Sequence, residues 1–66
     1  MLYTLTFTKR IEGAEGQGML RVQMMEPNGT PTTIQVEAES RSGAIFHTDT
    51  ETFCKENGCS VRRVLP

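Results

Sequence analysis

The side chains able to do chemistry crowd into one tract of this chain. Residues 46–59, FHTDTETFCKENGC, hold His47, Asp49, Glu51, Cys54, Glu56 and Cys59, and His47 is the single histidine. Metal binding is the first chemistry to weigh. A structural zinc site wants four ligands, usually as two close pairs. The tract offers Cys54-x4-Cys59 and one distant imidazole, with the cysteines expected in different elements, so no metal is expected. A cysteine–histidine dyad of His47 and Cys54 needs hydrogen-bond reach between its partners, and nothing in the sequence assembles an oxyanion hole around it. Asp49 and Glu51, two apart on a helix, diverge rather than face each other, which disfavours paired-carboxylate hydrolysis. Buried, inert thiols are the ordinary state of cysteines in a reduced core. The tract therefore reads as a seam between structural elements, its polar atoms engaged by the main chain, with no catalytic, cofactor-binding or metal-ligating residue assigned.

Phosphate chemistry fares no better. Residues 13–18 read GAEGQG, but no Lys-Ser or Lys-Thr follows, and the segment leads into a strand pattern where a nucleotide loop leads into a helix. Glu12 and Glu15 would repel a phosphate.

These groups need elements to hold them. Residues 2–8, LYTLTFT, alternate cleanly, with Tyr3, Leu5 and Phe7 on one face and threonines on the other, which predicts a half-buried strand. KRIEGAEGQG, residues 9–18, carries three glycines in six positions and reads as a long mobile connection. MLRVQMM (19–25) and TTIQVEAE (32–39) alternate again. The EPNGTP between them predicts a type I turn closed by a glycine bulge, so these two strands are expected to pair with each other. Asn28-Gly29-Thr30 also spells a glycosylation sequon, read here as turn chemistry.

Residues 42–48 admit two readings, a single helix across 42–57 or a short strand AIFH at 44–47 followed by a helix over 49–57. The second is preferred, because Thr48-Asp49-Thr50-Glu51 fits a capping box and Asn57-Gly58 a left-handed stop. CSVRRVL, residues 59–65, reads as a last strand with imperfect alternation. The expected fold is α+β: an antiparallel sheet of four to five strands with one helix on one face, in the order β-β-β-(β)-α-β. The expected core is Tyr3, Leu5, Phe7, Leu20, Val22, Met24, Ile34, Val36, Phe46, Phe53, Cys54 and Val61.

Size narrows the function classes. Sixty-six residues make a single domain, 1–66, and a chain this short buries only about 60 % of its unfolded surface, leaving no room for a deep two-layered cleft. Two cysteines rule out a disulfide framework of the secreted type. MLYTLTFTKR lacks the features of a signal peptide, and no run approaches the roughly 18 apolar residues of a membrane span, so a cytoplasmic location is expected. The formal charge of −1 argues against a general nucleic-acid binder. So does the expected solvent face of the strands, where Thr4, Thr6, Thr8, Arg21, Gln23, Thr33, Gln35 and Glu37 bring little positive charge.

A protein-binding module remains, not an enzyme and without a cofactor, acting as an inhibitor or adaptor of a larger protein. Compact, motif-free domains beginning at a methionine are typical of accessory proteins of phages and mobile elements, including inhibitors of the anti-CRISPR type. Its contacts are expected on Glu12 and Glu15 of the 9–18 loop, on the acidic positions Glu37, Glu39, Asp49 and Glu51, and on Met25 as an apolar anchor. Either a monomer or a homodimer through an edge strand is compatible with this pattern. The alternative is a small nucleic-acid-binding domain using Lys9, Arg10, Arg62 and Arg63.

Overall fold

In a computed structural model of the chain, which describes residues 1–12 and 19–66, the opening alternation runs well past Thr8. Strand β1 spans Leu2–Glu12. Lys9 to Glu12, expected in a loop, continue the strand because each finds a ladder partner across the sheet. The rest of that expected loop, residues 13–18, lies outside the described residues. Strand β2 (Met19–Gln23), strand β3 (Thr33–Glu37) and strand β4 (Cys59–Leu65) all pair antiparallel with β1. A small antiparallel sheet of four strands with helices packed against it results, an α+β fold.

One strand serves three partners because two of them share an edge. β3 pairs with residues 2–6 of β1 and β2 with residues 8–12, while β4 pairs with residues 4–9 and so overlaps both. β2 and β3 must therefore lie end to end along one edge of β1, with β4 along the other.

This overturns the expected β2–β3 hairpin. The turn itself is as expected: Gly29 N–H donates to Glu26 C=O at 2.9 Å, and Gly29 takes φ 87°. Pairing beyond the turn, however, stops at an isolated bridge between Met25 and Pro31. Met24 is the branch point, since its N–H donates to Phe7 C=O while its own C=O accepts from Thr32 N–H. Two causes are visible. Pro27 and Pro31 each lack a ladder donor, and the length of β1 offers both strands a continuous alternative edge.

The 42–48 segment also differs from expectation. No strand forms at 44–47; helix α1 (Arg41–Ile45) stands there, and helix α2 (Thr48–Asn57) follows after a break at Phe46 and His47. Ser40 caps α1, its hydroxyl accepting from Gly43 N–H at 3.1 Å. Both edges of β1 are already taken, which leaves AIFH no inner position to pair with. α2 ends as expected at Gly58, whose left-handed φ of 61° lets its N–H reach Cys54 C=O.

The helices cover one face of the sheet. Leu5 and Phe7 are fully buried there with Tyr3, Val36, Ala44 and Val64, and Phe53 of α2 stacks on Phe7 with ring centroids 4.4 Å apart. Met24, Ile34, Cys54 and Val61 pack around them. Val22 and Phe46, both expected in the core, are exposed. Val22 sits on the part of β1–β2 that extends beyond the helices, and the break at His47 turns Phe46 outward. Ala44 and Val64 take their place.

The imperfect alternation of β4 has a geometric solution. Register shifts between Thr6↔Arg63 and Phe7↔Val61, so Arg62 is a bulge residue. The extra residue brings Val61 and Val64 onto the same covered face, which strict alternation would forbid.

Candidate functional site

The tract that crowds the reactive groups is a seam, although between two helices rather than between a strand and a helix. His47 is the N-cap of α2, a place expected for Thr48: its Nδ1 accepts from Asp49 N–H at 3.0 Å. Thr50 is buried, and its hydroxyl donates to Ala44 C=O at 2.7 Å, tying the start of α2 to α1. Asn57 returns its amide to Phe53 C=O. Asp49 and Glu51 occupy the first turn of α2, where the helix dipole favours negative charge. These polar groups are occupied locally, which leaves them little chemistry to do elsewhere.

The two thiols are neighbours across the Gly58 turn. Burial, then the adjacent Cys54, pushes the Cys59 thiol up to about 11. Nucleophilic cysteines need the opposite shift, because the thiolate is the reactive form. Both cysteines are free and partly buried.

Beside them runs a groove of about 750 Å³ between the helices and β4. Ile45, Phe46, Cys54, Val61 and Val64 contribute apolar surface to it, and Phe46 is 73 % exposed. Arg41, Arg62 and Arg63 border it against a single carboxylate, Glu51. β4 forms one wall and bonds only to β1, so its outer edge is unpaired among the described residues.

The sheet face away from the helices is the second notable surface. Residues paired across antiparallel strands share a face, so the register places Arg10 and Arg21 on it, directly opposite each other. Thr6 and Arg63 are likewise opposed. Arg62 reaches across the same face, its guanidinium donating to Gln23 Oε1 over on β2. Thr4 accepts from the Gln35 amide at 3.4 Å. Among the described residues, two carboxylates have strand positions on this face: Glu37, held by the Met1 ammonium, and Glu12, paired with Met19 at the other end of β1. Four arginines therefore share a face expected to carry little positive charge.

The expected partner residues do not converge. Glu12 closes β1 and Glu15 lies outside the described residues. Met25 is exposed at the base of the turn, Glu37 lies at the end of β3, and Glu39 is exposed just before α1. Asp49 and Glu51 share a helical turn, and of the whole set only Glu51 borders the groove. The alternative basic set divides: Arg10, Arg62 and Arg63 belong to the open face, whereas Lys9, paired with Val22 and Cys59, falls on the covered side. Sequence reasoning missed Phe46 as a surface residue, and it placed Arg21 on the solvent face of the strands without joining it to Arg10, Arg62 and Arg63.

Among the described residues no three or more His, Cys, Asp or Glu side chains are grouped so as to hold a metal ion, and no helix is long and apolar enough to cross a membrane. No family model, curated protein or solved structure matches the chain.

Proposed function

We propose that this domain is a non-enzymatic protein-binding module, an inhibitor or adaptor, that takes an extended segment of a larger protein along the free edge of β4. The observation that carries the reading is the apolar groove lying directly beside that unpaired edge. Strand addition supplies affinity through main-chain hydrogen bonds and specificity through alternate side chains. A segment added to β4 would send every second side chain into the groove, over Val61 and Val64 and against Ile45 and Phe46. The intervening side chains would lie on the open face beside Arg63. The chemistry that fits is an alternation of apolar and acidic residues. Pairing of β4 with a second copy is disfavoured, since it would bring Arg62 and Arg63 of two chains together, and like charges on adjacent strands repel.

The test is titration of the isotope-labelled domain with nine-residue peptides alternating valine with glutamate or, as the contrast, valine with lysine. The glutamate peptide is expected to shift the β4 amides and the Phe46 ring, and Phe46→Ser to weaken it at least tenfold. Equal shifts from both peptides, or shifts confined to residues away from β4, would remove the reading.

A further inference from the structure

We infer that the open face of the sheet is a second binding surface, adjoining the β4 groove along Ser60, Arg62 and Arg63, and that it fits the phosphodiester backbone of duplex nucleic acid. Three observations converge on that ligand.

The first is charge. Arg10, Arg21, Arg62 and Arg63 share the face against two carboxylates at its described strand positions: Glu37, at the far end and already bonded to the Met1 ammonium, and Glu12, which the register with Met19 places two residues beyond Arg10. Apart from Glu12 and Glu37, the chain's described acids lie elsewhere: Glu39 precedes α1, Asp49, Glu51 and Glu56 are exposed on α2, and Glu26 belongs to the turn. A net charge of −1 thus conceals a separation of sign, with a basic sheet face backed by an acidic helical layer. Local potential, not the sum over the chain, determines what a face attracts.

The second is the company the arginines keep. Thr4, Thr6, Thr8, Thr33 and Ser60 bring hydroxyls to the same face, and Gln23 and Gln35 bring amides. Arginine, hydroxyl and amide donors are the groups that proteins turn toward phosphate and sugar oxygens. The Arg62–Gln23 bond holds one guanidinium across the middle of the face, between the Arg10–Arg21 pair and Arg63. From the Thr4 row to the Arg10 row the array runs six residues, roughly 20 Å at strand spacing, enough to follow several phosphates.

The third is what the face lacks. Single-strand binders combine a basic track with aromatic platforms on which bases stack. Tyr3 and Phe7 are buried on the opposite side of β1, and no described strand residue on the open face is aromatic. Backbone contact without stacking selects a duplex, whose regular phosphates need no unstacked base. The surface positions a duplex and reads no sequence.

The experiment is fluorescence anisotropy of the intact domain with a labelled 20-base-pair DNA duplex and with one of its strands alone, at 50 and 200 mM salt. Four neutralised phosphates give a log–log salt slope of about −3.6, so duplex affinity should fall on the order of a hundredfold between the two conditions. The Arg10→Ser/Arg21→Ser double variant should halve that slope, to a drop of about tenfold. Neither residue lines the β4 groove, and Phe46→Ser should leave duplex binding unchanged, so failure here is distinguishable from failure of the protein-binding proposal. An unchanged slope in the double variant, tighter binding of the single strand, or no duplex binding at 50 mM salt would each overturn the inference.

Discussion

On one side of β1, Leu5 and Phe7 are sealed from water, while their immediate neighbours Thr4, Thr6 and Thr8 remain partly exposed and Arg10 is exposed. A single strand thus carries two surfaces governed by different physics. The covered side is a packing problem, in which Phe7 meets Phe53 and the buried Thr50 must find a carbonyl. The open side has no such constraint and can hold Arg10 opposite Arg21, an arrangement that local energetics disfavour. Rules broken on a surface that packing leaves free are a reason to look there for function.

That contrast can be broken at graded cost. Phe7→Ala should do most damage, because deleting a fully buried ring costs about 3–5 kcal/mol, as much as the core of so small a domain supplies. Circular dichroism should show the variant unfolded at room temperature; a cooperative melt near that of the parent would mean that the covered face is not the source of stability. Thr50→Val keeps the shape and removes the hydroxyl that joins α2 to Ala44, for about 1 kcal/mol in chemical denaturation. A neutral result would show that the seam is held by apolar contact alone. On the open side the sign reverses. Arg21→Thr removes one of two facing charges and should raise the melting temperature by a few degrees at low salt, with the gain shrinking as salt screens the pair. A loss of stability would mean that Arg21 has a structural role.

The parts legible beforehand were those governed by neighbours in sequence. Alternation located four strands, the Pro-Asn-Gly turn kept its glycine bulge, and Asn57-Gly58 ended α2. The reactive tract was readable as a seam because capping and turn chemistry accounted for its polar groups. The helical pair was harder. A single buried alanine, Ala44, anchors α1, and one small residue produces no visible period. His47 as N-cap was hidden by Thr48, the more usual capping residue. The grouping of charges was least legible, because the acidic positions scatter while Arg10, Arg21, Arg62 and Arg63 gather on one face, and neither follows from their order along the chain.

The order of residues by itself determined where the chain is extended, where it turns and which class of fold it adopts, since backbone preference and side-chain period act over a few residues at a time. Only the tertiary structure decided that β2 and β3 share one edge of β1, that the bulge at Arg62 returns Val64 to the core, and that four arginines face the same way. The reason is that register couples positions far apart in the chain. A one-residue shift in pairing exchanges the two faces of a strand, and that choice is made by the packing of the whole sheet against its helices.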